Sequence, residues 1–151
     1  MIEVGKKAPA FALQDQDGAT VRLADFAGKT LLLFVYPKAN TGGCTTEATE
    51  FRDAKKEFDK KGVVIVGLSK DKPEAQKKWA EKYALPFTLL CDPETTTLAA
   101  YGAFGEKTMY GKIVTGTIRS TFVIGPDGKI VRIYRKVKAK GHAAQVLADL
   151  T

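Results

Sequence analysis

Leu31-Leu32-Leu33-Phe34-Val35-Tyr36-Pro37 is an unbroken apolar run stopped by a proline. A run of this length ending at a breaker reads as a strand covered on both faces, as at the centre of a parallel sheet. A short polar loop follows. Cys44 to Lys61 is then rich in helix formers, with Ala48, Phe51, Ala54 and Phe58 on one face and Gly62 as the stop. Val63-Val64-Ile65-Val66-Gly67-Leu68 is a second apolar run. Strand, helix and strand in that order imply a parallel pair joined by a right-handed crossover.

Working outward, Phe11 to Leu23 alternates weakly around Asp17-Gly18 and reads as a small N-terminal hairpin. On the other side, Asp71 and Pro73 open a helix carrying Ala75, Trp79 and Tyr83, with Trp79 expected in the core. Phe87 to Leu90 reads as a short strand and Pro93 to Tyr101 as a helix. Gly102 to Gly116, glycine-rich and aromatic, reads as a long loop holding Phe104 and Tyr110. Ser120 to Ile124 and Lys129 to Arg135 are joined by Gly125-Pro126-Asp127-Gly128, short enough for an antiparallel hairpin. A helix from about Gly141 to Leu150 closes the chain. The pattern predicts an α/β protein with a thioredoxin-like fold: one domain, a mixed central sheet and helices on both faces.

The bulk composition narrows the function classes. A chain of 151 residues, 44% hydrophobic and 27% charged, suits one globular domain that needs no disulfide staples. Two cysteines and one histidine supply neither a structural zinc site nor a secreted disulfide framework. No apolar run approaches the ~20 residues that cross a bilayer, and the N-terminus lacks the look of a signal peptide. The expected address is therefore a reducing cytosol, with no membrane partner. The net charge of +7 raises the question of nucleic acid. Its densest run, Lys129 to Lys140, has six basic residues and no acid, and the ordinary reading is a solvated strand face and tail.

In open α/β sheets, sites form at the carboxyl ends of parallel strands. The first buried strand ends at Tyr36-Pro37, and the loop to Gly43 leads straight into the helix bearing Cys44. A cysteine in the first turn of a helix faces the positive end of the helix dipole and unpaired backbone N–H groups, which favour thiolate over thiol. The competing reading is a small buried core thiol. Gly42 and Gly43 weigh against it, because they let a ligand approach the backbone.

Pro37-Lys38-Ala39-Asn40-Thr41-Gly42-Gly43-Cys44 matches the peroxiredoxin motif P-x-x-x-T-x-x-C. Around it, VYPKANTGGCTTEA resembles the bacterioferritin comigratory protein group, the Q-type peroxiredoxins. The resemblance spans nearly the whole chain, including VGKKAPAFALQDQDG, LPFTLLCDP, YGAFGEKTMYGK and Ile118-Arg119-Ser120-Thr121-Phe122. It implies a thiol-dependent peroxidase acting on hydrogen peroxide and organic hydroperoxides, with no metal and no organic cofactor. Cys44 resembles the peroxidatic cysteine that becomes a sulfenic acid, and Thr41 the hydroxyl that bonds peroxide and thiolate. Arg119 resembles the arginine beside the sulfur, Pro37 the residue shielding the pocket, and Glu47 the glutamate that orients the arginine. Thr41 as a simple helix cap and Arg119 as an exposed strand arginine are the competing readings. The group also implies a monomer.

Two positions depart from the group's pattern. Gly42 stands where many members have proline, which loosens the loop without removing a catalytic atom. Thr49 stands where the resolving cysteine is common, so the usual disulfide inside that helix cannot form. Cys91, the second thiol, is then the candidate resolving residue, expected at the carboxyl end of an edge strand on the same side of the sheet as Cys44. Pairing the two requires local unfolding if their Cα atoms lie beyond about 7 Å. The favoured cycle uses one cysteine, re-reduced by an external thiol such as thioredoxin, glutaredoxin or glutathione.

Three other functions compete with this one. A thioredoxin-type oxidoreductase needs C-x-x-C, and residue 47 is glutamate. A cysteine hydrolase needs a histidine base, and His142, at the start of the last helix, is expected to be solvated. A basic phosphate- or nucleic-acid-binding module would use Lys129 to Lys140, but no known nucleic-acid motif accompanies that run.

Overall fold

In the computed structural model, which describes residues 2–150, the chain opens with β1 (Ala12–Gln14), β2 (Thr20–Arg22) and a 3-10 turn at Leu23–Phe26. The crossover unit follows as β3 (Thr30–Val35), α1 (Gly42–Asp53), α2 (Lys55–Lys60) and β4 (Val63–Ser69). Next come α3 (Pro73–Tyr83), β5 (Thr88–Cys91) and α4 (Thr96–Ala100). The chain ends with β6 (Phe104–Met109), β7 (Lys112–Thr117), β8 (Ser120–Ile124), β9 (Ile130–Arg135) and α5 (His142–Asp149). Seven strands form one mixed sheet in the order β2-β1-β5-β4-β3-β8-β9, and β6 and β7 pair separately. This is the thioredoxin-like α/β architecture that the sequence pattern implies.

The two apolar runs pair in parallel from Thr30 opposite Val63 to Val35 opposite Leu68, with β8 antiparallel on the other edge of β3. Because strand side chains alternate, β3 serves two cores at once. Leu32, Phe34 and Tyr36 pack with Phe51, Phe58, Trp79 and Val146 on one face. Leu31, Leu33 and Val35 pack with Leu98, Tyr101, Phe122 and Ile124 on the other. All six of these β3-side residues are essentially inaccessible, and each large side chain buried in this way contributes roughly 1.5–3 kcal/mol. Aromatic stacking ties α1 to the sheet, with the Phe34 and Phe51 rings 4.9 Å apart. Among the described residues, no helix is long and apolar enough to cross a membrane.

Three local expectations are corrected. Residues 102–116 are not a loop: β6 and β7 form a hairpin through a Tyr110-Gly111 turn with φ of 51° and 77°. Both turn residues with positive φ give the twist that two-residue hairpins favour. The alternation is hard to read because only the base of this hairpin packs on the core, through Phe104 and the buried Thr117, and its tip leaves Tyr110 97% and Ile113 73% exposed. The helix expected from Cys44 to Lys61 starts at Gly42 and breaks at Ala54. Beyond the break, α2 carries Phe58 beneath Phe51, ring centroids 5.9 Å apart. Finally, Cys91 does not lie on an edge strand, since β1 adds antiparallel to β5 with Gln14 opposite Cys91. The Gln16 side chain extends this pairing, donating to the Phe87 carbonyl and accepting from the Leu89 N–H.

Candidate active site

Cys44 sits in the first turn of α1, immediately past the carboxyl end of β3, and is 1% exposed. The loop before it is fixed by a buried polar network. The Ala39 N–H donates to Asp71 Oδ2 at 2.7 Å, and the Ser69 hydroxyl donates to the same oxygen at 2.7 Å. Gln76 links this cluster to the strands, donating to Ser69 Oγ and the Leu90 carbonyl and accepting from the Tyr36 hydroxyl at 2.6 Å. Trp79 Nε1 donates to Thr45 Oγ1 at 3.1 Å, pinning the first turn of α1 against α3. Backbone entering a site is held more accurately by such bonds than by apolar packing alone.

Arg119 comes from the connection between β7 and β8, and its backbone carbonyl accepts from the Val137 N–H. Its guanidinium spans two partners, Nη2 donating to Cys44 Sγ at 3.3 Å and Nη1 to Glu47 Oε1 at 2.8 Å. Burial acts to lower the Arg119 pKa, but the Glu47 carboxylate and the Cys44 sulfur outweigh it and hold the cation. Gly43 makes the approach feasible: a Cβ there would lie 3.2 Å from Nη2.

Residues 4–133 match the AhpC/TSA family. The chain belongs to that family. Its relatives are peroxiredoxins. A putative peroxiredoxin of Mycobacterium tuberculosis is 50% identical over 97% of this chain and 94% of its own. Peroxiredoxin Bcp of Bacillus subtilis is 44% identical, over 99% and 95%. Among solved structures, bacterioferritin comigratory protein of Xanthomonas campestris superposes with a TM-score of 0.90 at 38% identity, covering 98% of this chain and 97% of that one. This peroxiredoxin is accordingly a thiol-dependent peroxidase of the Bcp/PrxQ type.

The remaining residues singled out in the sequence fall as follows. Thr41 precedes α1 in extended conformation, but its hydroxyl makes no cap and donates to the Lys38 carbonyl at 2.8 Å. Pro37 is half-buried beside the site. Thr49 turns its hydroxyl onto the carbonyls of Thr45 and Thr46. Cys91 is 3% exposed, and burial pushes its thiol up to about 12. Its sulfur lies near the Asp15 and Leu89 carbonyls, at 3.9 and 4.0 Å. His142 begins α5 as expected but is buried, not solvated. It shares a 2.8 Å hydrogen bond with Thr121 and stands edge-on to Phe51 and Tyr134. Burial, then the Arg119 charge, lowers its pKa to about 4. Sequence reading gave Ser69 and Asp71 no part in the site, taking Asp71 only as the opening of a helix, and missed Gln76. Polar residues just past the second apolar run, at the carboxyl end of β4, are the signal that could have revealed the first two.

Glu47 has a pH signature of its own. It is wholly buried, its Oε2 has no partner among the described residues, and burial raises its pKa to about 7 against the opposing pull of Arg119. A carboxyl group raised above its unfolded value near 4.5 binds its proton more tightly when folded. The stability it contributes is therefore complete below about pH 4.5 and is lost as pH rises through about 7. Urea unfolding of the parent should show this decline between those limits, and Glu47→Gln, fixed neutral, should flatten it. Parallel pH profiles for the two proteins would exclude Glu47 as its source.

Proposed function

We propose that Cys44 is the peroxidatic nucleophile and that the enzyme turns over through a one-cysteine cycle. The observation that carries this reading is the 3.3 Å hydrogen bond from the Arg119 guanidinium to Cys44 Sγ at the amino end of α1. A fixed positive charge and the helix dipole both favour an anionic sulfur. That thiolate attacks the terminal oxygen of the hydroperoxide. The S–O bond forms, the O–O bond breaks, and the departing oxygen takes a proton to leave as water or alcohol. Arg119 stabilises the charge that develops on the two oxygens. Glu47 keeps the guanidinium oriented, Pro37 limits water, and Thr41 turns its hydroxyl from Lys38 to the bound peroxide. The Xanthomonas campestris relative is described as having alkyl peroxide reduction activity, which supports organic hydroperoxides beside hydrogen peroxide as substrates here.

Several features support resolution by an outside thiol. Cys91 is buried, holds its proton far above neutral pH, and lies on β5 with β4 between it and β3. Position 49 offers only a hydroxyl. Nothing in the family match favours the basic-module reading of Lys129 to Lys140, where Arg132 and Arg135 are bound to protein carbonyls.

Mass spectrometry after one equivalent of peroxide tests the cycle. A gain of one oxygen on the peptide containing Cys44, with Cys91 still a thiol, is the expected result. An internal Cys44–Cys91 disulfide, absent from Cys91→Ser, would replace this cycle with a two-cysteine one that needs local unfolding.

A further inference from the structure

Beside Cys44 lies a cleft of about 470 Å³ that shares Arg119 with the site. That volume falls within the roughly 300–1,000 Å³ of small-molecule sites. Its charged lining is Lys107, Arg119 and Lys136 against a single acid, Glu106. Lys136 has no carboxylate partner among the described residues, and Lys107 donates to the Thr117 carbonyl at 2.6 Å, which leaves its charge uncompensated. Thr117 also lines the cleft, is 2% exposed, and its hydroxyl has no partner among the described residues. A buried hydroxyl left in that condition costs about 1–3 kcal/mol unless something else satisfies it. Lys136 holds a left-handed backbone, φ +51°, at the start of a loop tied to Arg119 through Val137.

We propose that this cleft binds a small thiol that carries carboxylates, with glutathione as the representative ligand. Its carboxylates meet Lys107 and Lys136, its amino group meets Glu106, and its sulfur passes Arg119 to reach Cys44. The assignment rests on the one-cysteine cycle above and specifies its reductant. Charge selects the ligand: with Arg119 paired to Glu47, the two lysines Lys107 and Lys136 still outnumber the single acid Glu106 and favour an anion, and a reacting thiolate is itself anionic. Access selects its size, because Cys44, 1% exposed and reached past a cleft of about 470 Å³, suits a tripeptide better than a protein loop. In the first step, Cys44–SOH and one thiol give a mixed disulfide and water. In the second, another thiol displaces Cys44 as a free thiol and leaves as the symmetrical disulfide. Two thiols are thereby oxidised and one sulfenic acid is reduced.

The test uses the full chain, oxidised with one equivalent of peroxide and checked for the added oxygen. Its re-reduction is timed with glutathione and with cysteamine, a cationic thiol, each rate corrected for that thiol's reactivity toward a small disulfide. Glutathione should exceed cysteamine by about tenfold or more at low salt, and the two should converge as salt screens the cleft. In the Lys107→Gln/Lys136→Gln double variant that ratio should fall by about tenfold, and Lys136→Arg should keep it. Because the ratio is taken on one sample, a general loss of fold or reactivity cancels. Equal corrected rates in the parent, or a ratio unmoved in the double variant, overturns the proposal, including the case in which only a protein thiol such as thioredoxin is fast. Failure to gain oxygen on Cys44 sinks the one-cysteine cycle itself, and that result is read before any thiol is added.

Discussion

Cys44→Ser should lower peroxide consumption by at least about 10⁴-fold, the scale on which covalent catalysis fails when its nucleophile is removed. A serine hydroxyl is almost never ionised at neutral pH, so nothing remains to attack the O–O bond. The fold should survive, because the substitution replaces one atom by a smaller one without overpacking and the serine oxygen can still accept from Arg119 Nη2. Stopped-flow measurement of hydrogen peroxide loss checks the activity, and urea unfolding checks the fold. Retention of about a tenth of the parent rate by a folded variant would place the chemistry elsewhere and remove the basis for the cycle.

Arg119→Met should cost about 10²–10³-fold in the rate of sulfenic acid formation, the range seen when one preorganised donor is removed from a developing charge. Arg119→Lys should restore little. A single ammonium cannot serve Cys44 Sγ at 3.3 Å and Glu47 Oε1 at 2.8 Å with the fixed fork that a guanidinium provides. The methionine variant should also lose stability, by about 3–5 kcal/mol above neutral pH, because it strands a buried carboxylate. That loss should shrink at pH 5, where Glu47 keeps its proton. Adding Glu47→Gln to Arg119→Met should recover stability and not activity, which separates the two roles of the arginine. Recovery of both would reduce Arg119 to a structural ion pair.

Much of this was legible in order along the chain. Leu31 to Tyr36 and Val63 to Leu68 are continuous apolar runs because both faces of their strands are covered, so composition alone marks them as central. The motif from Pro37 to Cys44 then follows directly from the end of the first run. The hairpin at β6 and β7 was hidden for the opposite reason. Apart from Phe104 and Thr117 at its base, most of its side chains are exposed or only partly buried, so burial imposes no period of two on its sequence. His142 illustrates a third case: next to Lys140 and Gly141 it reads as surface, and only the approach of Thr121, Phe51 and Tyr134 from other elements buries it.

The central sheet, the placement of Cys44 at the start of a helix and the peroxiredoxin motif can all be read along the chain, because they depend on neighbouring residues or on periodic burial. It takes the folded chain to show that Arg119, 75 residues from Cys44, reaches its sulfur, that Glu47 is wholly buried, and that Cys91 is an interior strand position. Those facts depend on which distant elements pack together. Charge in a buried site is set by such packing, since desolvation and the distance to an opposite charge have no counterpart along the chain.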